Sequence, residues 1–175
     1  MSKLSLSALL IGVSLLQGCT TLHTTPSNNA FDKNAQWVLL PSINNTETPQ
    51  AGARLDSITA SLLRVHGIKQ LNVYNSSNTN DSLFDLADRR NQEQALNNVK
   101  SSGAKYAVAA SVDEWRYKVG LDGEPATGVT INIIDLSTGQ VVWSGTAAKT
   151  GWSREAVSAI AQKTVDQLLK NALSH

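Results

Sequence analysis

The stretch Gln36-Trp37-Val38-Leu39-Leu40-Pro41, QWVLLP, sets four apolar residues side by side and stops at a proline. A strand with one face in water alternates apolar and polar side chains, so an unbroken run suits a strand buried on both faces. Such a strand needs helices over the sheet.

On the C-terminal side, NNTETPQAG turns the chain, and Leu55, Ile58 and Leu62 then recur at helical spacing through ARLDSITASLLRV. Gly67 stands where a C-terminal cap prefers glycine. A strand is expected over Ile68–Tyr74, a polar turn over Asn75–Asp81, and a helix over Leu83–Val99 whose charged centre, DLADRRNQEQ, reads as a solvated face ended by Gly103. From Tyr106 the pattern is β: YAVAASVDEWRYKVG, GVTINIIDL and QVVWSGTAAK, the last two joined by Ser137-Thr138-Gly139. A final helix is expected from the N-cap Ser153, with Glu155 in its first turn and Val157, Ile160, Ala161, Thr164, Leu168 and Ala172 along one stripe. The order βαβαβββα predicts an α/β fold, a mixed β-sheet covered by helices, as a single domain over residues 36–175.

On the N-terminal side, Lys3 precedes the apolar run LSALLIGVSLL and then Leu16-Gln17-Gly18-Cys19. The run is shorter than the roughly 20 residues of a spanning helix, and a small residue directly before the only cysteine matches a bacterial lipobox. Residues 1–18 are therefore expected to be a lipoprotein signal peptide, with Cys19 the lipidated N-terminus of the mature chain. Several acyl chains on one cysteine give stable anchoring. Thr20 follows, with no Asp of the inner-membrane retention kind, so the outer membrane, on its periplasmic face, is expected. Residues 19–35, rich in Ser, Thr and Asn around Pro26, read as the lipidated Cys and a flexible tether, in which His23 has no chemical role.

With its single cysteine spent on lipid, the domain has no disulfide and depends on core burial. The whole chain carries 15 basic and 14 acidic side chains, and loss of Lys3 with the signal balances them, which argues against a nucleic-acid partner.

Charge is instead concentrated in Ser111–Gly128, SVDEWRYKVGLDGEPATG. Regular alternation places Asp113, Trp115, Tyr117 and Val119 on one side and Glu114, Arg116 and Lys118 on the other. Gly120–Gly128 then reads as a connection projecting from the sheet, with Asp122-Gly123 as turn chemistry and Glu124 held extended before Pro125. The loop is a functional candidate and equally a charged hairpin end.

Catalysis has little support. Two carboxylates could serve a glycosidase, but Asp113 and Glu114 point to opposite faces of a regular strand, and no apolar pocket is evident around Asp122 or Glu124. His23, His66 and His175 are scattered, there is no cysteine pair, and no Gly-x-Ser-x-Gly elbow occurs, so neither a metal nor a nucleophile site is expected and no cofactor is implied. Trp152 has two readings: a membrane-interface residue flanked by Lys149 and Arg154, or the N′ half of a hydrophobic staple with Val157. Trp37, Trp115 and Trp143 fall in expected strands and read as core or subunit contacts.

Three blocks, WVLLPSINNTETPQAG, DEWRYKVGLDGEPATG and VVWSGTAAKTGWSREAVSAIAQK, together resemble the PelC family, outer-membrane lipoproteins of Pel exopolysaccharide export. The resemblance spans nearly the whole mature chain. It implies a non-catalytic periplasmic protein in a homo-oligomeric ring of about a dozen subunits under the PelB-like porin of the Pel system, guiding a cationic polysaccharide outward for the biofilm matrix. It also implies an α/β fold resembling the TolB N-terminal domain and curli-secretion lipoproteins. On this resemblance the acidic turn of the family corresponds to Asp122 in LDGEP, with Leu121 where the family pattern has Val; Glu124 and Asp113 are added by proximity. The family's aromatic belt against membrane lipid corresponds to Trp152 in Thr150-Gly151-Trp152-Ser153, with Lys149 and Arg154 beside it. Ring symmetry would turn one screened carboxylate into a band of charge. Two other classes share the anchor: an activator or binding module for a cell-wall synthase, which would be a monomer, and a pore subunit, which would need lipid-facing strands about 9 to 11 residues long.

Overall fold

A computed structural model describes residues 20–26, 30–74, 85–119, 123–152 and 154–174. Cys19, Asp122, Ser153, the expected signal peptide and the expected turn at Asn75–Asp81 lie outside the described residues. Seven strands, β1 (Thr20–Thr24), β2 (Gln36–Leu39), β3 (Ile43–Asn44), β4 (Gln70–Val73), β5 (Tyr106–Tyr117), β6 (Pro125–Asp135) and β7 (Gln140–Thr150), form one sheet in the order β1-β7-β6-β5-β2-β4. Helices α1 (Ala51–Val65), α2 (Asp85–Val99) and α3 (Val157–Leu173) complete the fold. β2 runs parallel to β4 and β5, β3 continues parallel to β5 beyond the end of β2, and β5, β6, β7 and β1 are antiparallel. The expected mixed α/β sheet is what forms.

β2 is buried on both faces. Trp37 and Leu39 enter a large core with α1 and α3, while Val38 and Leu40 enter a smaller one with Ala95 and Val99 of α2. All six residues of the expected stripe on α3 are buried, together with Val165, Leu169 and Leu173. On α1 the buried positions are Ala51, Gly52, Leu55, Thr59, Ala60 and Leu63, with Ile58 and Leu62 partly covered. Each large aliphatic side chain buried here contributes about 1.5–3 kcal/mol.

Three expectations change. The stretch read as a tether starts with a strand: β1 pairs with β7 along Thr20–Thr24, Leu22 packs on the core, and Thr25 exchanges hydrogen bonds with the Ser144 backbone. Phe31 stacks edge-on against Trp37 and Tyr106, and the Trp37 indole N–H donates to the Asp32 carbonyl at 3.0 Å. A Thr-rich segment with one leucine has the composition of a spacer, yet threonine is β-branched and suits an edge strand. Second, the β5–β6 ladder continues to Tyr117↔Pro125, because Ala126 and Thr127 are buried, Thr127 against Thr164 of α3. The connection is therefore 118–124, closed by Lys118 N–H donating to the Glu124 carbonyl at 2.7 Å. Third, α3 starts at Val157 with Ala156 as N-cap, so the staple geometry for Trp152 does not arise.

The break between β2 and β3 is tied from both sides of the sheet. On one side Ser42 donates its N–H and hydroxyl to Asp56 of α1. On the other, Gln92 of α2 donates to the Pro41 and Ala110 carbonyls, and Asp88 accepts the Asn44 N–H. The expected solvated centre of α2 thus also turns polar groups inward. Burial pushes the Asp56 carboxyl up to about 6 from an ordinary 3.8, against the two Ser42 hydrogen bonds and with repulsion from Asp88.

A folded-state pKa above the unfolded one gives a contribution that is complete below about pH 3.8 and lost as pH rises through about 6. Asp56→Asn keeps an acceptor for Ser42 and removes the charge. We expect it to raise stability at pH 7.5 by about 1–3 kcal/mol, with the gain shrinking toward zero near pH 4 in urea denaturation.

Candidate functional site

The first sequence-derived site residue, Asp113, sits at an irregularity. The β5–β6 register passes from Val112↔Val129 to Glu114↔Gly128, leaving Asp113 as the extra residue of a bulge. Before it, Tyr106, Val108, Ala110 and Val112 face the large core; after it, Trp115 does. The bulge thus separates Asp113 from Trp115, which alternation had put together. It also sets Asp113 and Glu114 on the same face, against the expectation for a regular strand. A Cβ on Gly128 would come within 3.3 Å of the Glu114 backbone and Cβ, so this crossing is built around a glycine.

On that face Asp113 is an acceptor for three donors: Asn45 Nδ2 at 2.9 Å, Ser111 Oγ at 3.0 Å and Thr130 Oγ1 at 2.8 Å. Thr130 Oγ1 lies 3.1 Å from Thr146 Oγ1, and Arg89 of α2 donates to Asn45 Oδ1 at 3.3 Å. Glu114 accepts from Arg116 Nε at 2.9 Å. These contacts fix Asp113 in place, and neutral donors leave its charge for anything facing the open, antiparallel half of the sheet.

The remaining candidates gather at one end of the sheet. The pairing Thr20↔Lys149 brings the residue after Cys19 beside Lys149. Two residues on, Gly151 N–H donates to the Pro125 carbonyl, and the chain turns with Glu155 N–H donating to the Trp152 carbonyl. Arg154 takes φ 79°, the left-handed region that non-glycine residues rarely occupy. The Glu155 carboxylate holds the turn, accepting from Lys163 Nζ at 2.6 Å and from the Trp152 N–H at 2.8 Å. Those two bonds, with Lys149 nearby, keep its carboxyl below the ordinary range. Trp152, 54% exposed, projects from this turn, and the exposed Tyr117, Val119 and Glu124 belong to the same end. The loop 118–124, in which Asp122 lies, closes β5 to β6 there.

Among the described residues no three His, Cys, Asp or Glu side chains group as a metal site, and no helix is long and apolar enough to cross a membrane. No protein-family model and no curated protein matches the chain. Solved structures do: the PelC dodecamer from Paraburkholderia phytofirmans is 35% identical, with a TM-score of 0.74 over 89% of this chain and 98% of that one. The chain belongs to the PelC family. A leucine-to-methionine variant of the same dodecamer matches at 35% identity and TM-score 0.75, over 89% of this chain and 99% of that one. The lipoprotein GNA1162 from Neisseria meningitidis, 16% identical with a TM-score of 0.55 over 81% and 99% of the two chains, shares the fold.

Sequence reading missed a cleft of about 550 Å³ at the same end of this PelC-family domain. It is lined by Thr48, Arg54, Trp115, Arg116, Tyr117 and the start of α3. Three segments distant in sequence build it, so no local pattern announces it.

Gly151 is the position on which the Trp152 turn depends. A Cβ there would lie 2.4 Å from Ile160 Cδ1 and 2.7 Å from Glu155 Oε2, and Ile160 is fully buried. Gly151→Ala is expected to cost about 1–3 kcal/mol by thermal unfolding.

Proposed function

We propose that this chain is a non-catalytic subunit of a homo-oligomeric ring of about twelve copies. It is anchored by lipid on Cys19 to the periplasmic face of the outer membrane, beneath the porin through which a cationic exopolysaccharide (Pel) leaves for the biofilm matrix. The observation that carries the reading is 35% identity over 89% of the chain to a PelC that is a dodecamer. Two features of this chain support it.

The first is orientation. Thr20, the residue after the expected lipid attachment, pairs with Lys149, so an anchor at Cys19 would bring Lys149, Trp152 and Arg154 toward the bilayer. An exposed tryptophan flanked by cations is what settles at a headgroup interface, where the ring is apolar, its N–H polar, and Lys or Arg meets phosphate. The second is repetition. Asp122 and Glu124 lie in or at the 118–124 loop and Asp113 is fixed on the open sheet face. One such carboxylate is screened over roughly 8–10 Å at physiological salt. Twelve copies around a lumen give a continuous negative band, and many weak contacts let a cationic polymer enter and leave.

Native mass spectrometry of the mature protein in detergent is expected to give a discrete oligomer of about twelve subunits, with the acyl mass on Cys19. A monomer at every concentration would overturn the ring and favour a synthase activator. Asp122→Asn is expected to leave the ring intact and to lower secreted polysaccharide several-fold, whereas a variant that secretes normally removes Asp122 from the lumen role.

A further inference from the structure

The hydrogen bonds around Asp113 have a direction, and the direction limits what can bind there. A carboxylate only accepts, so Asn45 Nδ2, Ser111 Oγ and Thr130 Oγ1 each give it a proton. A hydroxyl has a single proton to give. Thr130 directs its own to Asp113, so at the 3.1 Å contact between the two threonines Thr146 donates to Thr130. Arg89 in turn donates to the Asn45 side-chain oxygen, which leaves the amide nitrogen turned to Asp113.

The hydroxyl protons of the group therefore run inward to one carboxylate, and what remains outward is lone pairs on Ser111, Thr130 and Thr146. Ser111 and Thr130 are half-buried, while Asn45, Asp113 and Thr146 are exposed, on the half of the sheet that α2 leaves open. Among the described residues no cation pairs with Asp113; Arg89 and Arg116 are bonded instead to Asn45 and Glu114. Asp113 Oδ2 and Thr146 Oγ1 lie 2.8 and 3.1 Å from the same Thr130 oxygen, so one donor group above Thr130 faces all three. His23, set opposite Thr146 by the β1–β7 register, bounds the row.

An acceptor-only surface around an unpaired negative charge repels anions and suits a compact group that carries positive charge and several N–H donors. We propose that this row binds the primary ammonium group of an amino sugar, with Asp113 as its charge partner and Thr130 and Thr146 as acceptors of its remaining N–H donors. An ammonium has three such donors. An N-acetyl group is neutral, offers one N–H and brings a carbonyl oxygen that would face lone pairs, so the row separates free from acetylated amino sugars. The inference rests on the reading of this chain as a guide for a cationic glycan and deepens it: Asp113 alone would be one charge in a screened band, whereas the hydroxyl row makes it selective for the substituent on the sugar nitrogen.

The test is fluorescence polarisation of an end-labelled glucosamine tetramer, beside the labelled N-acetylglucosamine tetramer, titrated with the full mature protein in detergent. The glucosamine tetramer should bind about tenfold more tightly than the acetylated one, and its binding should weaken about tenfold in Asp113→Asn and about threefold in Thr146→Val. Glu93→Gln, which removes an equal charge from the exposed side of α2, should bind as the wild type does. Equal binding of the two tetramers, or wild-type binding by both Asp113→Asn and Thr146→Val, would overturn the site. An Asp113→Asn oligomer that dissociates in native mass spectrometry would also overturn it, by making Asp113 a subunit contact. Secretion by Asp122→Asn reports separately on the export reading: reduced secretion with no tetramer binding refutes the site and leaves the export role, whereas normal secretion with selective tetramer binding refutes guidance by the loop and leaves the site.

Discussion

The fold depends on β2 being covered on both sides. Trp37 and Leu39 point into one core and Val38 and Leu40 into the other, so neither α1 with α3 nor α2 can be removed without exposing the same four-residue strand. A strand in that position cannot satisfy a break in its own ladder with water. When Pro41 ends it, side chains must finish the hydrogen bonding, and they come from the helices: Asp56 accepting from Ser42 on one side, Gln92 reaching two carbonyls on the other. The cost is a half-buried carboxylate whose charge the site resists.

The antiparallel half obeys a different constraint. α2 covers only the β2 side of the second face, and the half made by β6, β7 and β1 is open, which lets Thr130, Thr146, Ser111 and Asp113 stand together there. The bulge between Val112 and Glu114 makes this possible by inserting one residue, so that Trp115 returns to the core while two acids share the outer face. Packing and charge are thus separated by a single extra residue.

What the sequence made legible follows from this division. QWVLLP, the stripe Val157–Ala172 and the turn Ser137–Gly139 each carry a local pattern, and each formed as read; Gly139 takes φ 73° in that turn. β1 was not legible, because Thr20–Thr24 holds a single core contact, Leu22, and an edge strand borrows its order from the ladder beside it. Nor was the bulge, since its cause lies in Gly128 on the neighbouring strand. Ser153 looked like a helix cap by type and spacing, yet Gly151, packed against Ile160 and Glu155, requires a turn first and delays α3 to Val157. The membrane-facing candidates could be named from a short motif; the cleft beside Thr48, Trp115 and Tyr117 could not, being a product of tertiary structure alone.

The topology gives these separate features one direction. β5 and β7 end, and β1 and β6 begin, at the same edge of the sheet, and α1 and α3 both start there. Hydrogen bonds join the features at this end, Tyr117 Oη to the Glu155 carbonyl, Gly151 N–H to the Pro125 carbonyl and Lys118 Nζ to Thr150 Oγ1, so the proposed N-terminal anchor would orient the cleft, the Trp152 turn and the 118–124 connection as one unit. The anchoring proposed above would tie the lipid to the edge strand of the sheet, through five backbone-paired residues to β7 and from β7 to the core. A free tether would leave the orientation of this end to chance, whereas an edge strand sets it by register, and under the proposed anchoring the register of Thr20 to Lys149 would be what turns Trp152 and its neighbouring cations to the bilayer.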